Sequence, residues 1–524
     1  MWQRRSWPRQ ATGLRIRSPN GLAAGVQPAE DAFTPNASVD EHLPMSYYAF
    51  QSDREVLSVE TDFRSFLNLL ENEAPEEMIR VKRPIDPASF DATAILQHLE
   101  NRGLYPLVVF EQPKNLKGEI SRFPLVSNVY ASRRRCAMAL GMSKNDWALP
   151  VSLEYARREA HRLDPVVISP SDAPVRQHTE TGDQVDLREF PIVRHHRMDP
   201  SPYIDMTCVV RDPDTGTYNS AFQRTMYRNP RELGLYMSPR HNWQIARKYE
   251  AAKKDVPIAI VVSHHPAFHL GSLNVAPFGE DDYRIIGSVM GQPLRVTSSA
   301  TLGSDFLIPA DAEIVIEGRV LYGVRDAEGP FGEFTGYYGP QRLSRVIEAT
   351  AIDYRTDAIY QDVFVGHRDV WILGAIPKEG SLFNRVKGVV PTVKGLHLPN
   401  SGCGRFNCYL SIDKKVPGES KLAALLTLGV CDFIKNIVVV DSDIDPFDEE
   451  QVLWAVATRT QADRDLDVIK DVKGSALDPS QTEDTTAKLI IDATMPVGSP
   501  FESRVEVPAE AMSRIKLEDY ISGS

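Results

Sequence analysis

Apolar residues fall at helical spacing twice near the start of the globular part of the chain. Phe63, Phe66, Leu67 and Leu70 stand at i, i+3, i+4 and i+7 behind Thr61 and Asp62, so the spacing predicts an amphipathic helix with an N-cap. Ala92, Ile95, Leu96 and Leu99 repeat the pattern after Asp91, and Gly103 supplies the stop. Leu107-Val-Val-Phe110 is short and continuously apolar, the pattern of a buried strand. Helices alternating with short strands make residues 46–170 an α/β domain. Residues 166–186, rich in Pro, Ser, Asp and Thr, read as a linker. Short β-prone runs then follow one another: Tyr203 to Arg211, Tyr218 to Tyr227, Pro257 to Ser263, Leu294 to Thr297 and Glu313 to Val320. Turn signals such as Asp212-Pro-Asp-Thr-Gly216 separate them, so residues 171–360 are expected to form a barrel or sandwich. The last third, 361–524, returns to α/β texture. Ile437-Val-Val-Val440 runs into an acidic turn, Asp441 to Asp445, and Asp448 then caps a helix carrying Val452, Leu453 and Val456.

Length agrees with this division: 524 residues at roughly 150 per domain give about three domains. Hydrophobic residues make up 42% and charged residues 25%, enough apolar surface for a sizeable core in a globular protein. No apolar run approaches the ~18–20 residues of a membrane-spanning helix. The net charge of −12 argues against a general nucleic-acid binder, but a local arginine or metal can still serve a small anionic substrate. The odd number of scattered cysteines, Cys136, Cys208, Cys403, Cys408 and Cys431, reads as reduced thiols of a cytoplasmic protein. Cys403 and Cys408 lack the second pair or histidines of a zinc site. In residues 1–45, Arg4, Arg5, Arg9, Arg15 and Arg17 precede the first acid, Glu30, a transit-peptide composition. No apolar face repeats there, so a disordered tail or an upstream start codon, with Met45 as the working start, is the expectation.

Chemistry concentrates in a few segments. Glu328-Gly-Pro-Phe-Gly-Glu333 carries a carboxylate at each end of a loop that Gly329, Pro330 and Gly332 keep from being helical. On composition alone it reads as a Pro-Gly turn with solvated acids. The alternative is a cleft in which a buried acid, its pKa raised, donates a proton near neutral pH. Asn219 and Arg224 lie five residues apart in a β-prone run, so they face opposite sides unless a bend intervenes. Asn219, His241 and Asp282 supply the mixed oxygen and nitrogen donors that suit Mn2+ or Mg2+. Each also has an ordinary reading, as a surface amide, a histidine at a helix start and a solvated turn acid. No P-loop or Gly-x-Gly-x-x-Gly follows a strand.

Taken in order, these segments resemble the UbiD family of reversible decarboxylases. The series runs from about residue 55 to 500. It comprises Phe123-Pro-Leu-Val-Ser-Asn128, the Asp186 to Ile204 stretch, Asn219 with Arg224, Pro239-Arg-His241 and Pro309 to Gly318. It ends with Glu328-Gly-Pro-Phe-Gly-Glu-Phe-Thr-Gly336, Val439 to Asp445 and Asp492-Ala-Thr-Met-Pro496. The resemblance implies a multidomain α/β chain with a central split β-barrel that binds prenylated FMN and a C-terminal domain that makes homodimers or homohexamers. It implies Mn2+ (or Mg2+), held by Asn219, His241 and Asp282 against the cofactor phosphate, with K+ as a further ion. Asp282 stands where the family has Glu, five residues before Gly287-x-x-x-Gly291, and Glu280 or Asp281 is the substitute ligand. Ala221, Phe222, Gln223, Arg224, Arg240, His241 and Ser272 fall where the family contacts cofactor. Arg224, Glu328 and Glu333 match its Glu-Arg-Glu network: Arg224 for the substrate carboxylate, Glu333 as proton donor and Glu328 to orient Arg224.

The implied reaction is loss of CO2 from an aromatic, heteroaromatic or α,β-unsaturated acid. The bond broken leaves a carbanion that only a cofactor electron sink stabilises. A UbiX-type flavin prenyltransferase would supply that cofactor. His264, His265 and His269, where the family has small apolar residues, are either substrate-contacting groups or turn histidines. Two other readings remain at this stage. One is a non-catalytic or carboxylating flavin-binding subunit of a larger carboxylase complex; the other is a metal-dependent hydrolase built on the carboxylate pair.

Overall fold

A computed structural model describes residue 59 and residues 61–520 of the chain; the expectations for residues 1–45 lie outside them. The first helix, α1 (Phe63–Glu73), starts where the Asp62 carboxylate accepts a hydrogen bond from the Ser65 N–H at 2.9 Å, and it buries Phe63, Phe66, Leu67 and Leu70. Strand β1 (Met78–Val81), helix α2 (Asp91–Glu100) and strand β2 (Leu107–Phe110) follow, β1 and β2 lying parallel. Strand β3 (Leu125–Ser127) pairs antiparallel with β2, and helices α3 (Arg133–Ala139) and α4 (Val151–Glu159) complete the domain. All four residues of β2 are buried, as their unbroken apolar run requires.

The expected linker is partly strand. β4 (Val166–Val167) joins a small sheet with β10 (Arg295–Ser298) and β11 (Leu307–Pro309), while β5 (His178–Thr181) pairs with β15 (Arg342–Tyr354). Its polar composition suits an edge strand that meets solvent on one side.

The central sheet consists of β6 (Tyr203–Arg211), β7 (Tyr218–Asn229), β8 (Glu232–Leu235), β9 (Val256–Ser263), β12 (Ile314–Glu328) and β15, in the order β12-β9-β6-β7-β8-β15. Every neighbouring pair is antiparallel, and a β12–β15 pairing closes the ring into a six-stranded barrel. Between barrel and sandwich, closure removes both open edges of the sheet. Ile258 to Val262 of β9 are all buried. Helices α5 (His241–Ala251), α6 (Pro266–Gly271) and α7 (Asp282–Met290) stand around the barrel, and β13 (Phe331–Gly332) with β14 (Tyr338–Gly339) forms a hairpin at its rim. Strand β16 (Tyr360–Gln361) then returns to pair with β3.

Helix α8 (Arg368–Lys387) leads into a five-stranded sheet of β17 (Val393–His397), β18 (Asn407–Ile412), β19 (Asn436–Asp441), β21 (Thr485–Ala493) and β20 (Leu466–Lys473), in that order. Helices α9 (Glu419–Val430) and α10 (Glu449–Arg459) flank it. Asp448 caps α10 through the N–H groups of Glu450 and Gln451, at 3.0 and 3.3 Å. Val452 is buried there, whereas Leu453 points outward. Among the described residues no helix is long and apolar enough to cross a membrane, and all five cysteines are free thiols.

Candidate active site

The β6–β7 hairpin sets the site's register. Its Asp212-Pro-Asp-Thr-Gly216 turn leaves Tyr203 opposite Met226, Asp205 opposite Arg224, Thr207 opposite Phe222 and Val210 opposite Asn219. Opposite residues share a face and successive residues alternate. One face of β7 therefore carries Ser220, Phe222 and Arg224, and the other carries Asn219, Ala221 and Gln223. The β6 register runs unbroken through the segment, so no bend brings Asn219 and Arg224 to one side.

Glu328 ends β12, Gly329 and Pro330 turn the chain, and Glu333 follows β13, its N–H bonded to the Tyr337 carbonyl at 2.9 Å. Arg224, 104 and 109 residues away, meets both acids. Its Nε and Nη2 donate to the two Glu328 oxygens at 2.9 and 3.0 Å, a bidentate pair, and its Nη1 donates to Glu333 Oε1. The Tyr203 hydroxyl donates to Glu328 Oε1 at 3.3 Å. The guanidinium lies 4.2 Å from the ring centre of Tyr236 and 4.9 Å from that of Phe331. Glu328 is fully buried, and Arg224 and Glu333 are 5% and 6% exposed. Burial pushes the Glu333 carboxyl up and Glu328 adds to it, against the pull of Arg224. Burial works to lower the Arg224 pKa, but Glu333 and Glu328 together drive it up. One cation thus stands between two buried acids, so one acid is disposed to keep a proton.

The opposite face of β7 has different partners. Asn219 Nδ2 donates to Asn242 Oδ1 at 2.6 Å, and Asn242 Nδ2 reaches Gln223 Oε1 at 3.4 Å. His241 opens α5 with its ring edge-on to Phe278, and burial lowers its pKa, helped by Arg240 and Arg385. Arg240 is exposed and bonded to Asp432 at 2.8 Å. Asp282, in the first turn of α7, accepts from the Ser220 N–H at 2.6 Å, the Ser220 hydroxyl at 2.8 Å and Asn274 Nδ2 at 3.0 Å; burial pushes it up to about 7. The Ser220 hydroxyl also donates to the Ser272 carbonyl at 3.0 Å, and Ser272 Oγ lies 3.0 Å from Thr207 Oγ1. Asp282, Ser220 and Ser272 therefore form one network, and Arg224, Glu328 and Glu333 another. No hydrogen bond links Asn219, His241 and Asp282 directly among the described residues. There, Asn219 Oδ1 and the His241 ring nitrogens also have no hydrogen-bond partner, and no cluster of three or more His, Cys, Asp or Glu is spaced for a metal ion.

The three consecutive-region histidines are buried, and burial pulls all their pKa values down, His265 and His269 to about 3. His265 caps α6, accepting from the Ala267 N–H at 3.2 Å, and His264 Nδ1 accepts from the His265 N–H at 2.8 Å. His269 borders the site: its Nδ1 lies 2.9 Å from Thr207 Oγ1 and its ring packs on Phe222.

Sequence reasoning missed Tyr203, Asp205 and Tyr236, although counting outward from the Asp212 to Gly216 turn would have set Asp205 opposite Arg224. It also missed Lys378 and Arg405. Lys378 Nζ donates to the Gly374 carbonyl at 3.1 Å, and Arg405 lies 4.4 Å from the ring centre of Phe334, the residue after Glu333. Neither makes an ion pair among the described residues. Burial lowers both, Lys378 to about 7 and Arg405 to about 10.

One arginine held between two buried glutamates at the barrel is equipped to bind a carboxylate and move a proton beside it, the task of a carboxyl-processing enzyme. Comparison with known proteins makes the class specific. Three models of 3-octaprenyl-4-hydroxybenzoate carboxy-lyase match: the N-terminal domain at residues 69–148, the Rift-related domain at 166–368 and the C-terminal domain at 372–493. Anhydromevalonate phosphate decarboxylase of Methanothermobacter thermautotrophicus is 31% identical over 432 residues, covering 81% of this chain and 95% of its own. Phenolic acid decarboxylase of Sedimentibacter hydroxybenzoicus is 30% identical over 452 residues, covering 83% and 92%. The UbiD-class enzyme HmfF from Pelotomaculum thermopropionicum, solved in complex with FMN, superposes with a TM-score of 0.79 at 35% identity, covering 88% of this chain and 100% of that one. The Sedimentibacter hydroxybenzoicus vanillic acid decarboxylase in closed form gives 0.78 at 28% identity, covering 89% and 100%. The chain belongs to the UbiD family and is a carboxy-lyase.

Proposed function

We propose that this carboxy-lyase removes CO2 without oxidation from an aromatic, heteroaromatic or α,β-unsaturated acid, using prenylated FMN and a divalent cation, Mn2+ or Mg2+. The observation that carries the reading is the buried Glu328–Arg224–Glu333 arrangement. Arg224 has N–H groups left beyond those given to the glutamates, and they bind the substrate carboxylate. Glu328 holds the guanidinium plane through two bonds and fixes the approach. Glu333, with its pKa raised, delivers a proton to the carbon that CO2 leaves. The buried surroundings exclude water that would compete for the guanidinium.

The residues around Ser272 suit the flavin: Phe222 is half-buried on the same face as Arg224, and the Ser220 and Ser272 groups offer a polar floor. When bound, the flavin supplies the electron sink that the departing carboxylate requires. Asn219 Oδ1, a His241 ring nitrogen and the Asp282 carboxylate fit a hard divalent ion by donor type. An ion there would also compensate the otherwise unfavourable buried charge of Asp282. A flavin prenyltransferase supplies the cofactor, and the chain assembles as a homo-oligomer; the structures of the UbiD-class enzyme HmfF with FMN and with prenylated FMN support the cofactor.

The test is CO2 release from a panel of aryl, heteroaryl and acrylic acids by anaerobically purified protein co-expressed with a flavin prenyltransferase. Turnover that Glu333→Gln abolishes, with flavin still bound, is expected. A colourless, flavin-free protein under those conditions defeats the proposal.

A further inference from the structure

Asp205 is a third carboxyl group beside Arg224. It lies on β6 directly opposite Arg224 of β7, so the two side chains rise from the same face of the sheet. Its neighbours on that face are tied into the site: Tyr203 donates to Glu328, and Thr207 bonds Ser272. Asp205 itself has no hydrogen bond or ion pair among the described residues. Protein surrounds it, yet part of its surface stays accessible. Six charged or titratable groups lie near it: His195, Glu333, Arg224 and Asp362, the Cys208 thiol on its own strand, and Arg405 from the C-terminal part of the chain. His195 Nε2 is engaged with Asp362 at 3.0 Å, and Arg224 with the two glutamates, so none of these neutralises Asp205 by contact.

We propose, resting on the decarboxylase reading, that Asp205 is the proton reservoir of the cleft, protonated when the substrate carboxylate docks on Arg224 and reloading Glu333 after each turnover. The physical reason is charge. An ionised Asp205 would stand beside an incoming carboxylate with only one guanidinium to serve Glu328, Glu333 and the substrate. A protonated Asp205 removes that repulsion and holds the proton the reaction consumes. In balance, the C–C bond of R–COO− breaks and CO2 leaves. The bonding pair takes the Glu333 proton as a new C–H bond, and Asp205 reprotonates Glu333. A proton from bulk solvent then returns to Asp205 once product has left, so R–COO− and one H+ give R–H and CO2. Burial, with Glu333 and Asp362 adding, raises the Asp205 carboxyl to about 7, against the pull of His195 and Arg224. Its protonated form therefore prevails below that pH and is lost above it. Asp205 acts through Glu333 and is a positioning residue for the proton, not a catalytic one.

Two measurements test this. With holoenzyme, Asp205→Asn should lower kcat about 10-fold to 100-fold, by analogy with general-acid losses, and displace to lower pH the alkaline limb that Glu333 sets. Asp205→Glu should restore both in part. With apo protein, Asp205→Asn should raise Tm relative to wild type by a margin that widens from about pH 5 to about pH 8, because only wild type must ionise a buried acid. Asp205→Thr, which suits a strand, serves if the Asn variant fails to fold. An active wild type whose pH profile Asp205→Asn leaves unmoved, or a Tm margin flat with pH, overturns the reservoir role alone. A wild type that releases no CO2 from any acid overturns the decarboxylase reading and this one with it.

Discussion

Replacing Glu328 by Gln removes one charge from the buried trio while keeping its shape. Glu328 accepts two N–H bonds from Arg224, at 2.9 and 3.0 Å, plus one from Tyr203 at 3.3 Å. The amide retains one acceptor oxygen but turns an NH2 toward a guanidinium N–H, so one charge-assisted bond is lost. Depriving a buried ion of its partner costs ~3–5 kcal/mol, and the lower end applies because Arg224 keeps Glu333. About 3 kcal/mol lost from the alignment of Arg224 corresponds to roughly a 10²-fold fall in kcat/KM. A second consequence has a definite sign. Glu328 is one of the charges that raises Glu333, and Arg224, freed of Glu328, grips Glu333 harder. The Glu333 pKa then falls, the proton donor ionises earlier, and activity is lost at lower pH than in wild type. CO2 release measured across pH with flavin content checked by absorbance reads both effects. Wild-type kcat/KM, or an alkaline limb displaced to higher pH, would falsify the reasoning.

Three further outcomes follow from particular contacts. Gly332→Ala places a Cβ 2.2 Å from His196 Nδ1, so the loop before Glu333 must shift at about 1–3 kcal/mol; both CO2 release and the denaturation midpoint should fall, and a wild-type value in both sinks the point. Asp282→Ala should leave circular dichroism unchanged while metal and flavin are lost on gel filtration, because the ion's charged ligand is gone; full retention of both refutes the ligand assignment. Asp62→Ala removes the α1 cap at about 1 kcal/mol. Burial opposes ionisation of Asp62, but hydrogen bonds from Ser65 and Arg355 outweigh it and hold the carboxyl at about 2. Its stabilisation is thus present above the ordinary aspartate range and is lost as pH falls toward that value; equal acid unfolding of wild type and variant contradicts this.

Local signals were the legible ones. The spacing of Phe63, Phe66, Leu67 and Leu70 predicted a helix that forms and buries all four. Leu107 to Phe110 and Ile437 to Val440 became strands because short apolar runs have no other way to leave water with their backbone bonded. The turn at Asp212 to Gly216 and the cap at Asp448 follow from side chains that bond their own backbone. The order of family-like segments pointed to the barrel and the carboxy-lyase class, both of which hold.

Residues far apart in the chain acquired their partners only in the folded structure. Whether Glu328 and Glu333 were solvated turn acids or a buried pair turned on Arg224, more than 100 residues earlier. The β12–β15 closure decided barrel over sandwich, and β15 drew part of the expected linker into the sheet as β5. Strand alternation put Asn219 and Arg224 on opposite faces, and hairpin register put Asp205 beside Arg224. Arg405, from the C-terminal part, reached Phe334, and Lys378 reached Phe433, with no local pattern to announce them. Periodicity and turn chemistry act within a few residues, so helices, apolar strands and turns could be read locally, whereas the polar edge strand β5 could not. Burial, charge pairing and shared faces arise when distant segments close on one another, and they decided which acids meet Arg224 out of water.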